Sequence, residues 1–117
     1  PRRRPVETAR LLREGREAPL RVALEALATE RYSAPCDDGT PKAELLGQLP
    51  AGVASWEGWD SLAECWWPGT EDDVPRRLAD FREALRNRSE DRVVVVGHGG
   101  FWQELAGGFL FKCGIVS

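Results

Sequence analysis

The sequence predicts an α/β domain with a mainly parallel sheet, and three features carry that expectation. VVVV at 93–96 is an unbroken β-branched run, amphipathic helical stripes flank it on both sides, and a polar, glycine-rich break, GHGG at 97–100, separates it from the second stripe. β-Branched residues without alternation suit a strand buried on both faces of a parallel sheet. Helix and strand in alternation make the crossovers that such a sheet requires.

In chain order, Val6, Ala9 and Leu12, with Glu7, Arg10 and Arg13 between them, predict a helix over residues 5–14. Pro5 suits its first turn and Gly15 its end. Leu20, Val22 and Leu24 alternate as in a strand, although Leu20, Leu24 and Leu27 also share a helical face; a strand is expected. From Tyr32 to Gly69 the chain is rich in Pro, Gly, Asp and Trp, and has no sustained period beyond a possible helical turn at 41–46. Excursions of that length tend to be lids or binding loops. At Asp73 the pattern returns: Asp73 can cap, Pro75 sits in a first turn, and Val74, Leu78, Phe81 and Leu85 form a stripe opposed by Arg76, Asp80, Glu83 and Arg86. After the GHGG break, Phe101, Leu105 and Phe109 predict a further helix ended by Gly107 and Gly108, and residues 113–116 a last strand. No internal repeat or low-complexity tract interrupts this order.

Composition narrows the function classes. With 117 residues and 42% apolar side chains, one small domain over residues 1–117 is expected. A net charge of −3 with interspersed signs argues against a nucleic-acid partner. The longest apolar run, residues 93–96, falls far short of the roughly 20 residues that cross a bilayer, so no membrane partner is expected. Cys36, Cys65 and Cys113 are odd in number and contain no C-x-x-C pair, which points away from disulfides and zinc and toward a reducing, cytoplasmic setting. His98 is the single histidine, so no metal site is expected. Met is absent and the chain opens on Pro1, from which a trimmed start is expected. No feature sets an oligomeric state.

Three segments carry chemistry. VVVVGHGGF, residues 93–101, puts a polar turn at a strand's C-terminal edge and a helix's N-terminus, where glycines allow close approach and amide N–H groups with the helix dipole favour an anion such as phosphate. His98 adds a donor there, or else is a satisfied histidine at a tight turn. PRRRPVETA, residues 1–9, presents guanidinium groups suited to two-pronged phosphate recognition, or a solvated face. Glu30 follows the expected strand at 20–24 and could serve as a general acid, or be an ordinary loop carboxylate. Trp56, Trp59, Trp66 and Trp67 either line a substrate pocket or cover the core from above.

Together these segments resemble the histidine phosphatase superfamily. PRRRPVETA is similar to its S-P-x-x-R-x-x-x-T-A segment without the leading serine, which matches Arg4 to the phosphate-binding arginine and Thr8-Ala9 to the packing pair. ATERYSAPCDDGTP, residues 28–41, resembles L-x-E-R running into a P-C-D-x-G-x-P loop, with Ala28 for leucine, and matches Glu30 to the proton donor. ECWWP, residues 64–68, is similar to a tryptophan pair of one subgroup, and VVVVGHGGF resembles S-H-G-G-F with Gly97 for serine, which makes His98 the second histidine of the phosphate pocket. The resemblance implies a three-layer αβα, phosphoglycerate-mutase-like fold whose N-terminal strands precede Pro1.

It also implies a phosphomonoester hydrolase or phosphotransferase acting on a phosphorylated small molecule through a phosphohistidine, with no cofactor and no metal. Glu30 and His98 would be catalytic, and Arg4, Gly99 and Gly100 would bind substrate. The family's nucleophile lies in an R-H-G motif that does not occur in this sequence, so the chain alone is expected to be inactive. The alternative is a non-catalytic phosphate-binding or interaction module. An α/β-hydrolase-like reading of HGGF ranks below both, because no G-x-S-x-G elbow occurs.

Overall fold

The computed structural model describes residues 3–15 and 20–107. Helix α1 (Arg3–Glu14) starts ahead of Pro5, which is tolerated because first-turn amides have no intrahelical acceptor. Arg10 bridges Glu7 at 3.1 Å and Glu14 at 2.7 Å on its outer face, and Val6 is buried on its inner one. The next segment does not form the expected strand. Among the described residues its one strand-type pairing is an isolated parallel bridge between Ala23 and Glu57, in which Leu24 N–H donates to the Glu57 carbonyl at 2.8 Å and Glu57 N–H to the Val22 carbonyl at 3.1 Å. Gly58, at φ 85°, follows that bridge; a Cβ there would press on the Leu24 carbonyl oxygen at 2.7 Å.

The tryptophan-rich excursion folds onto α1. It contains α2 (Lys42–Leu45) and 3-10 turns at Pro35–Asp37, Val53–Ser55 and Gly69–Glu71. Val6, Leu45, Val53, Trp56, Trp59, Leu62 and Trp66 form one buried cluster, with Val22, Leu24 and Trp67 packed against it. The Trp66 indole N–H finds the Thr40 carbonyl at 2.8 Å, as a buried indole requires a partner.

Helix α3 (Val74–Arg86) begins as expected: the Asp73 carboxylate accepts from Arg76 N–H at 3.1 Å, and Pro75 sits in the first turn. Helix α4 (Gly99–Ala106) ends at Gly107, whose φ of 68° closes it in the left-handed region. A second cluster joins these helices to the 3-10 turn Ala26–Ala28: Ala28, Leu78, Phe81 and Phe101 are buried, with Leu27, Val95, Trp102 and Leu105 against them.

The three-layer αβα arrangement with a parallel sheet is overturned. Among the described residues there are helices and turns but no strand ladder. The run at 93–96 pairs with nothing there, and Val93 and Val94 are 45% and 73% exposed while Val95 packs on the second cluster. Side-chain pattern tells how a strand would bury once paired, whereas the ladder itself needs a neighbouring backbone to take its N–H and C=O groups. The last strand expected at 113–116, and Phe109, lie outside the described residues. Among the described residues, no helix is long and apolar enough to cross a membrane.

Candidate functional site at the N-terminus of α4

Residues 97–100 turn the chain into α4, with His98 at the N-cap position in extended geometry (φ −105°, ψ 149°). An N-cap side chain ordinarily accepts from the second or third amide of its helix, but the His98 side chain makes no such bond. The amides take a distant acceptor instead. Glu30 Oε1 accepts from Phe101 N–H at 2.9 Å, and Oε2 accepts from Gly100 N–H at 3.3 Å. Arg31 N–H adds a third bond, to Oε1, at 3.1 Å. A carboxylate placed here is favoured by the helix dipole as well as by the hydrogen bonds. Glycine at 100 is what admits it, since a Cβ there would collide with Glu30 Oε1.

The segment carrying Glu30 is held from below by a buried ion pair. Arg77 donates through Nε and Nη2 to the two oxygens of Asp72 at 2.9 and 2.8 Å, and through Nη1 to the carbonyls of Leu27 at 2.9 Å and Thr29 at 2.6 Å. Asp72 Oδ2 also accepts from Tyr32 N–H at 2.9 Å. The guanidinium lies 5.4 Å from the centre of the Phe101 ring, which packs edge-on against Phe81 and Trp102 at 5.2 and 5.5 Å. Beyond Glu30 an open cleft of about 550 Å³ is bordered by Arg31, Tyr32, Leu78, Arg82 and Glu104. Arg31 is paired across it with Glu104 at 3.1 Å. Desolvation, with the Asp38 carboxylate next in effect, pushes the Tyr32 phenol above its ordinary value.

Of the residues singled out from sequence, Glu30, His98, Gly99 and Gly100 gather at this helix end. Gly99 occupies the first helical position, and nothing lies within 4 Å of where its Cβ would be. Arg4 is exposed on α1, and its carbonyl accepts from Thr8 Oγ1 at 3.2 Å. Among the described residues no hydrogen bond or ion pair joins its guanidinium to Glu30. Trp56, Trp59 and Trp66 are core residues, at 7%, 7% and 6% exposure. Cys36 and Cys65 are exposed free thiols, and among the described residues no group of three His, Cys, Asp or Glu side chains is placed to hold a metal ion.

Sequence reasoning missed Arg77 and Asp72. The signal was present, because Arg77 lies three residues after Val74 and four before Phe81, on the apolar face of α3. A charge on a buried stripe asks for a partner.

No curated relative and no solved structure matches the chain. A family model does match, that of the histidine phosphatase superfamily (branch 1), over residues 1–113, and the chain belongs to that superfamily.

Proposed function

We propose that this chain supplies the phosphate-gripping and proton-donating half of a phosphomonoester hydrolase or phosphotransferase that works through a phosphohistidine. The observation that carries the reading is the contact of Glu30 with the amides of Gly100 and Phe101, which joins segments 70 residues apart in the sequence beside His98. The superfamily acts on phosphorylated substrates, which fits an anion held at a helix N-terminus.

In this reading a histidine nitrogen from outside the chain attacks phosphorus, and the bond to the ester oxygen breaks. His98, the first amide of α4 and Arg4 balance the charge on the equatorial phosphoryl oxygens; loss of one such preorganised donor costs about 100-fold to 1,000-fold in rate. Glu30 protonates the departing alkoxide. Its Oε1 is tethered by two amides, at 2.9 and 3.1 Å, while Oε2 has one longer bond, at 3.3 Å. Oε2 is therefore the less tethered oxygen, the one through which Glu30 would meet the leaving group. Water, or a second acceptor, then takes the phosphoryl group from the histidine and Glu30 recovers a proton. His98 is the sole histidine in the sequence and cannot also serve as nucleophile.

The chain alone should bind inorganic phosphate, more weakly after His98→Ala, and leave p-nitrophenyl phosphate intact. Turnover that survives His98→Ala would refute the assignment. An R-H-G segment supplied in the same polypeptide should bring turnover, and Glu30→Gln should then slow hydrolysis of esters with poor leaving groups by about 10²-fold to 10⁴-fold. Equal slowing for activated and unactivated esters would remove Glu30 from the acid role. The single histidine also favours a second reading, a phosphate-binding module without catalysis, for which no R-H-G segment would bring turnover.

A further inference from the structure

The geometry points to Arg77 as the residue that positions Glu30, with Asp72 as its partner. The inference rests on the reading of Glu30 as the acid and extends it to what aims that acid. Arg77 touches both ends of the Glu30 contact. Through the carbonyls of Leu27 and Thr29, at 2.9 and 2.6 Å, it fixes the chain just before Glu30. Through Asp72, which takes Tyr32 N–H at 2.9 Å, it fixes the chain just after. Its guanidinium also lies over the ring of Phe101, the residue whose amide receives Oε1. Carboxylate and receiving amide are thus referenced to one rigid group.

Burial and shape suit Arg77 to that task. The Arg77 and Asp72 side chains are 10% and 5% exposed, so salt screens the pair little. Four bonds leave one planar fork, a pattern that a point-like ammonium cannot reproduce. A merely structural pair would staple α3 to the turn Ala26–Ala28 and leave the aim of Glu30 to its own hydrogen bonds. A positioning pair sets the Glu30–Phe101 contact itself, in a protein that is otherwise folded.

Amide NMR of the chain separates these two roles. In the unaltered chain the Phe101 N–H resonance should follow the titration of the Glu30 carboxylate, and Gly100→Ala, which expels that carboxylate, defines the lost response. Arg77→Lys and Asp72→Asn should each reduce the response toward the Gly100→Ala level while tryptophan near-ultraviolet circular dichroism stays native-like. If only one of the two folds, that one decides. Full retention of the Phe101 response in a folded variant overturns the inference, as does a Phe101 resonance that ignores the titration in the unaltered chain. If neither variant folds, the pair is a structural staple and the inference is likewise overturned. Failure of the acid reading would show separately, as equal slowing of all esters by Glu30→Gln, because the amide response requires no turnover.

Discussion

Gly100→Ala separates where Glu30 sits from what it does. The added methyl would collide with Glu30 Oε1, the end of a flexible side chain, so the carboxylate yields and the backbone can stay. Loss of the amide bonds removes an N-cap interaction, typically about 1 kcal/mol. Alanine in place of glycine returns up to about 1 kcal/mol of helix propensity. The two nearly cancel, and the melting temperature should move by less than about 4 °C, the shift for about 1 kcal/mol in a domain of this size. Function should not be spared. In a polypeptide that carries an R-H-G segment, hydrolysis of unactivated esters should fall by about 10²-fold to 10⁴-fold, while p-nitrophenyl phosphate, whose leaving group needs little protonation, changes far less. An unaltered rate on unactivated esters would refute the assignment of Gly100 as the residue that admits the acid. A stability loss of several kcal/mol would refute the claim that only a side-chain tip is displaced.

Further predictions concern stability. Arg77→Met should cost about 3–5 kcal/mol in urea unfolding, because it leaves the Asp72 carboxylate buried without its partner. Asp73→Ala should lower the urea midpoint by the equivalent of about 1 kcal/mol without changing the slope, since it removes the cap on Arg76 N–H. Glu90 is held at about 2, below its usual 4.5, first by hydrogen bonding with Arg88 and further by its own backbone N–H and the charges of Arg88 and Arg21. A carboxylate depressed in the folded state stabilises it above the unfolded value and loses that contribution as pH falls through the folded one. Melting temperature should therefore decline between about pH 4.5 and about pH 2, and Arg88→Ala should flatten that part of the curve.

What could be read from sequence was what local chemistry decides. Asp73 before Val74 and Pro75 marked the start of α3, because a cap and a proline act on the turn they belong to. The same holds for the glycine that ends α4. The parallel sheet failed where the argument passed from a side-chain pattern to a pairing partner, as the exposed Val93 and Val94 show. The tryptophans were undecidable in sequence, since a pocket and a core both call for large apolar surfaces; burial at Trp56, Trp59 and Trp66 decided it. Glu30 lies 70 residues from the amide it serves, and no periodicity reports a contact of that span. Motif resemblance put Glu30 and His98 in one pocket, and a local trace is an omission: α4 has histidine where helices usually carry Ser, Thr, Asp or Asn, so its amides needed an acceptor from elsewhere.

That omission divides the first turn of α4 among separate tasks. The second and third amides, Gly100 and Phe101, are committed to Glu30. The first, at Gly99, has no intrahelical acceptor by its position. Under the proposed function, a phosphate at this helix end would take the Gly99 amide, and would have to expel Glu30 to reach the next two. Phe101 makes the division rigid. Its ring is fully buried against Phe81, Trp102 and Arg77, while its amide points to the acid. A residue with its side chain in a close-packed cluster cannot shift its backbone without disturbing that cluster. The place of the amide that receives Glu30 is consequently set by core packing, so that, under the proposed function, a site that begins at a glycine-rich turn could still hold a proton donor in register.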